Sequence, residues 1–272
     1  MQVYRGMDIG TAKPDRATRE AIPHHLIDLV EPESEFSVAE FQRRGRRVLD
    51  KLGERGAPAV ITGGSGLHFR ALVDPMTFGP TDDELRTELE GADVDDLVAE
   101  LLAADIDAGQ HVDLANPRRV VRAVEVLRMT GSTPSVRAGS PEQAALRSYT
   151  PLVPFAALGV DPGKALAARV EKRFDGMLDA GLLDEVAGLV GRLGRTARQA
   201  VGYKELLPVV AGSATLDAGR EAAIGATLAL AKRQRTYFGR DPRIRWLPWH
   251  DDAAVRLDSA HEALREEPVW TS

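Results

Sequence analysis

Ser65 has the richest chemical context in this chain. It stands in VITGGSGLHFRAL (60–72), where an apolar, β-branched run ends in Gly-Gly-Ser-Gly and a helical pattern begins. Glycines permit a tight turn, and the first N–H groups of a helix face outward. Such a junction can hold a phosphate or another anion, with Ser65 adding a hydroxyl. An ordinary glycine turn has the same composition. The diphosphate-cradling pattern GxxxxGK[ST] is absent. The nearest approach, GVDPGKA (159–165), has its first glycine one residue too close to Gly163-Lys164, and Ala165 where Ser or Thr is needed. His24 and His25 are neighbours in a strand pattern, so their rings would point to opposite faces, and the other histidines are isolated. No metal ligands are assigned. There is no nucleophile elbow. With no cysteine, disulfides and thiolate sites are excluded. In RQAVGYKELLP (198–208), Tyr203 beside Gly202 would either stack on a nucleic-acid base or begin a helix as a packed aromatic.

The elements that must position these groups follow from periodicity. HHLIDLV (24–30) reads as a short buried strand. Ser37 and Glu40 form a capping-box signature, and Val38, Phe41, Val48, Leu49 and Leu52 recur at helical spacing up to Gly53 and Gly56. APAVITGG (57–64) reads as a strand buried on both faces. Strand, helix, strand in this order predicts an α/β fold with a parallel sheet. From about residue 76 the chain turns acidic and helical, and NPRRVVRAVEVLRMTG adds a helix opened by Pro117 and closed by Gly131. We therefore expect an α/β core over 1–75 and 141–250, a helical insertion over 76–140, and a helical tail over 251–272. PLVPFAALGV (151–160) and RIRWLPW (243–249) return to strand character, and a helix pair joined near Gly181 and a long helix over 223–240 lie between them.

The 272 residues are 43% hydrophobic and 28% charged, with a net charge of -6. That composition fits a soluble globular protein and argues against one that coats nucleic acid non-specifically. No run approaches the ~20 apolar residues of a membrane span, and no secretory signal is visible, so a cytoplasmic location is expected. Basic residues nonetheless cluster in FQRRGRR, NPRRVVR, AKRQR and GRDPRIR.

Taken in order, MQVYRGMDIGTAKP, VITGGSGLHFRAL, NPRRVVRAVEV, RVEKRFDGMLDAGLLDEV, AVGYKEL and LAKRQRTYFGRDPRIRWL resemble the bacterial tRNA dimethylallyltransferase family from Met1 to about Trp246. The resemblance implies a P-loop-kinase-like parallel sheet flanked by helices, with an all-helical insertion that grips the anticodon stem. It implies transfer of a dimethylallyl group from dimethylallyl diphosphate to N6 of adenosine 37 in tRNA, with Mg²⁺ assisting, by a monomer. N6 of adenine is a poor nucleophile and needs a positioned base, and the leaving diphosphate needs fixed donors and cations.

Carried over by position, Ser65 supplies a hydroxyl near the reacting adenine, and Arg173 lies on the diphosphate. Lys232 and Arg233, with Gln234, line the same end. Met1, Gln2, Ser65, Arg86, Arg118, Arg119, Val120, Val121, Arg122, Val201, Gly202, Tyr203 and Lys204 fall at tRNA-touching positions. Asp8, Thr11 and Lys13 shape the adenosine end. The family's P-loop and an Asp-Ser pair, whose Asp is the expected base, belong just ahead of Met1 and are missing here. The chain as given is therefore expected to be truncated, poorly stable and inactive, through a misplaced start codon, a truncation or a genuine loss. A non-catalytic tRNA-binding remnant and a P-loop-type small-molecule kinase are the alternative readings.

Overall fold

The computed structural model describes residues 1–267. Helices dominate, in chain order α1 (Arg16–Ala21), α2 (Val38–Glu54), α3 (Gly66–Val73), α4 (Asp83–Gly91), α5 (Val94–Ala104), α6 (Pro117–Thr130), α7 (Pro134–Ala138), α8 (Pro141–Arg147), α9 (Leu166–Asp179), α10 (Leu182–Leu189), α11 (Tyr203–Val210), α12 (Leu216–Phe238) and α13 (Ala253–Arg265). Two strands, β1 (Ala157–Val160) and β2 (Ile244–Leu247), pair in parallel with Ala157 opposite Ile244. The chain divides into two compact units, Met1–Leu72 with Pro154–Ser272, and Val73–Val153.

Local chemistry accounts for most helix ends. The Ser37 hydroxyl accepts from the Glu40 amide at the start of α2. Pro117 opens α6, where its missing N–H is no loss, and Gly131 closes it at φ +68°. Gly181, at φ +98°, joins α9 to α10. In the first unit these helices bury Tyr4, Met7, Phe174, Leu182, Val186, Leu189, Tyr203 and Leu206 around one core. Each large apolar side chain so buried contributes about 1.5–3 kcal/mol. The second unit packs α6 against α4 and α5 through Leu89, Leu97, Leu101, Val120 and Val124. Its boundaries are wider than the acidic texture of 76–140 suggests. The Leu152 amide bonds the Val73 carbonyl, and Asp105 accepts from Ser135, which ties α7 and α8 to the same unit.

The sheet is smaller than the sequence implies. Residues 24–30 form no strand. Leu26 and Asp28 have φ of +63° and +54°, and only a single bridge joins Val30 to Tyr4. Asp28 is held in that geometry by Lys13 and Arg19. Residues 57–64 carry no strand, and 58–63 are exposed, with Val60 at 79%. Apolarity marks a segment as able to sit in a sheet, but a strand forms only where a neighbour supplies the ladder of hydrogen bonds.

The opening loop is fitted to the core at Gly10. A Cβ there would lie 2.5 Å from Tyr203 Cε2 and 2.8 Å from Leu182 Cδ1. Gly10→Ala is expected to destabilise the first unit by about 1–3 kcal/mol, the usual cost of overpacking, read by thermal denaturation. An unchanged melting temperature would show that Tyr203 yields freely.

Candidate functional site

In the first unit, the glycine turn is built onto α12. A side chain at Gly64 would collide with Gln234, and one at Gly66 with Tyr237. At Gly66 the obstacle is a ring, so glycine is what lets the turn lie this close, whereas at Gly64 it is the flexible end of Gln234. Ser65 precedes α3, its carbonyl accepting from the Phe69 amide and its hydroxyl lying 2.7 Å from His68 Nδ1. Burial holds the His68 imidazole below its ordinary pKa, and its ring meets Phe41 edge-on at 4.7 Å. Phe69 packs edge-on against Phe155 and Phe238 and anchors α3 behind the turn.

The same stretch of α12 lines a cavity of about 280 Å³ formed by Lys232, Arg233, Thr236, Tyr237 and Arg240. Lys232, Arg233 and Arg240 are exposed and carry no ion pair among the described residues. Arg235, between them in sequence, is engaged elsewhere: its guanidinium grips Asp161 at 2.6 and 2.7 Å, fastening the end of β1 to the helix. The Ser65 turn and this cavity share Tyr237: Gly66 packs on its ring, and the same residue lines the cavity, whose lining does not include Ser65. Arg173 is exposed on α9 and lies outside the cavity lining. Thr236 and Arg240 were missed from sequence, although the basic run continuing to Arg240 was a visible signal.

Much of the opening motif is scaffolding. Gln2 donates its amide to the Thr11 and Ala12 carbonyls at 3.0 Å. Lys13, its side chain 2% exposed, donates to the Tyr4 carbonyl, Asp8 and Asp28. Thr11 caps the Met7 carbonyl. Tyr203 corrects the stacking alternative. It is wholly buried, with its hydroxyl on Glu185, so its ring packs the core. Burial, then the Glu185 carboxylate, push its pKa far up, and it stays protonated. Gly202 is likewise buried, while Met1 and Lys204 are exposed and Val201 is half-buried.

In the second unit, Glu125 is completely buried on α6 and accepts from Arg86 at 2.7 Å, Arg122 at 2.6 Å and the Asp82 amide at 3.2 Å. Arg122 also donates to the Gly79 and Pro80 carbonyls. Arg86 and Arg122, read from sequence as tRNA contacts, are therefore committed to the fold. Val120 and Val121 are buried on the core face of α6 and offer no side chain to a partner. Arg118 and Arg119 are the exposed pair. Arg119 reaches Asp113 only at 3.5 Å, and Arg118 has no ion pair among the described residues. Both lie in the first turn of α6, which holds no acidic residue. Cations there oppose the helix dipole, a local cost that an approaching anion would offset.

The first unit thus carries a glycine turn seated on α12, a cavity lined by three exposed cations and a parallel strand pair. Residues 2–241 match the family model described as IPP transferase. The chain is 41% identical over 259 residues to a tRNA dimethylallyltransferase of Bifidobacterium animalis subsp. lactis, covering 93% of this chain and 73% of that protein. It also resembles the full-length tRNA isopentenylpyrophosphate transferase of Bacillus halodurans, with TM-score 0.66, 32% identity, and coverage of 97% and 84%. A crystal structure of a eukaryotic dimethylallyltransferase acting on tRNA shares the fold, with TM-score 0.75 and 22% identity, over 98% of this chain and 72% of that one. The chain belongs to the IPP transferase family.

The division of labour among the arginines is measurable. Arg122→Ala should destabilise the second unit by about 2 kcal/mol, less than for a fully buried pair because Arg86 still holds Glu125 and Arg122 is itself partly exposed. Arg118→Ala should be near neutral in the same urea titration. Burial pushes the Glu125 carboxyl up, but the two arginines together outweigh it, leaving its pKa below the usual carboxylate range. The stability it adds is present above the unfolded carboxylate pKa of about 4.3 and lost as pH falls through the lower folded value. Glu125→Gln should flatten that acid limb.

Proposed function

We propose that this chain is a tRNA prenyltransferase, acting as a monomer in the cytoplasm. It transfers the dimethylallyl group of dimethylallyl diphosphate to N6 of adenosine 37 in the anticodon loop. One observation carries the reading: within one unit, Tyr237, on which the Ser65 turn packs, also lines the cavity that presents Lys232, Arg233 and Arg240. In the reaction, the bond between the allylic carbon and the diphosphate oxygen breaks, a carbon–N6 bond forms, and the N6 proton passes to water or to a phosphate oxygen of the departing diphosphate. The leaving group gains charge as this happens, and Lys232, Arg233 and Arg240 offer cations for it. Ser65 offers a hydroxyl to the adenine amine. Arg118 and Arg119 fit backbone phosphates, and exposed Lys204 and Met1 fit contacts nearer the loop.

No helix among the described residues is long and apolar enough to cross a membrane. For Mg²⁺, the described residues hold no group of three or more His, Asp or Glu side chains placed to bind a metal ion. A Mg²⁺ ion that arrives with the diphosphate needs only about one or two protein ligands besides phosphate oxygens and water, and no step is assigned to it.

The test separates the two ligands. Arg118→Ala with Arg119→Ala should weaken binding of an adenosine-bearing anticodon stem-loop and reduce the magnitude of its salt slope by about 1.4–1.8, with dimethylallyl diphosphate binding unchanged. Lys232→Ala with Arg233→Ala should do the reverse, raising the Kd for dimethylallyl diphosphate by about tenfold or more. Equal effects of both pairs on both ligands would contradict the assignment, as would indifference of the wild-type chain to RNA.

A further inference from the structure

Glu185 lies in the first turn of α10 and has no role in the reading above. Its Oε2 accepts from the amides of Asp8 at 2.9 Å and Ile9 at 2.8 Å. Its Oε1 accepts from the Gly10 amide at 3.1 Å and from the Tyr203 hydroxyl. Three consecutive backbone N–H groups converging on one point form an anion nest, and here the chain fills it with its own carboxylate. A carboxylate has about four acceptor positions, and four donors use them. No lysine or arginine pairs with Glu185 among the described residues, so its charge is balanced by these donors alone.

We propose that Glu185 is a positioning residue that sets the shape of the loop Met7–Lys13 and locks it to Gly202–Lys204, making the two stretches one RNA-recognition surface. This rests on the RNA-binding reading. The core alone does not define the loop. Met7 and Tyr203 are buried, whereas Asp8 and Ala12 are exposed, and Ala12 has φ of +51°. The loop's shape reaches Gln2 directly, because Gln2 holds the Thr11 and Ala12 carbonyls. On the other side, the Tyr203 ring is fixed between Gly10 and the carboxylate, and the next residue is exposed Lys204. The Gly202 amide is held by Glu205 at 2.8 Å, which completes the bend. Glutamine would place an N–H₂ against one of the donors, so the carboxylate cannot be replaced by its amide without loss.

The experiment uses the full chain, with Ile224→Ala as a core comparator in α12. Hydrogen exchange at Asp8–Gly10 and the Kd for an anticodon stem-loop are measured well below the melting temperatures of all variants. Glu185→Ala should exchange at least about tenfold faster at these amides and bind RNA about tenfold more weakly, with Glu185→Gln and Tyr203→Phe intermediate. Ile224→Ala should lower the melting temperature while leaving both readouts near wild type. The proposal is overturned if Glu185→Ala and Ile224→Ala lose affinity in parallel with stability, or if the loop loosens with no change in Kd. If the wild-type chain binds no stem-loop, the functional reading fails first, and unchanged exchange at Asp8–Gly10 would independently remove the clamp.

Discussion

The approach of the Gly63–Gly66 turn to α12 is the constraint on which the site depends. Side chains at Gly64 or Gly66 would occupy the space of Gln234 and Tyr237. Because they are absent, the turn seats directly on α12 at Tyr237, a residue that also lines the cavity with Lys232, Arg233 and Arg240. The backbone of the turn is thus placed by packing before a ligand arrives. Phe69, Phe155 and Phe238 hold the turn from behind, and the Arg235–Asp161 pair holds the helix to β1.

Charge is partitioned by the same logic. A net charge of -6 conceals a separation between cations that serve the fold and cations that remain available. Lys13, Arg86, Arg122 and Arg235 each satisfy a carboxylate, and Lys13 and Arg122 also hold backbone carbonyls. Lys232, Arg233, Arg240, Arg118 and Lys204 are exposed without such partners among the described residues. Removing a member of the first group leaves a carboxylate poorly compensated, which is a stability effect. Removing a member of the second changes little in the free protein, which is why these residues are the ones to associate with ligands.

How much of this was legible in the sequence varies by kind of information. Helix ends were readable where the stop or start signal is local, as at Ser37, Pro117, Gly131 and Gly181. The glycine turn at Ser65 was readable as a turn, but its seat on α12 was not, since Gln234 and Tyr237 are far away in sequence. The strands at 24–30 and 57–64 were misread because a strand is defined by its neighbour; Leu26 and Asp28 take positive φ instead, with Asp28 held by Lys13 and Arg19. Arg86 and Arg122 look like any other surface arginines until Glu125 is seen buried between them. Glu185 was invisible for the same reason: its partners Asp8, Ile9 and Gly10 lie 175–177 residues away. Tyr203 shows the limit most plainly, because an aromatic beside a glycine carries no mark of whether it faces a base or the core.

The central claim is that the allylic diphosphate lies where the Ser65 turn meets α12. A photo-reactive analogue of dimethylallyl diphosphate, cross-linked to the chain and mapped by peptide mass spectrometry, tests it most directly. The account predicts labelling within residues 63–69 and 232–240, suppressed by excess inorganic diphosphate. Labelling confined to other segments, or labelling at these segments that diphosphate does not suppress, would contradict it.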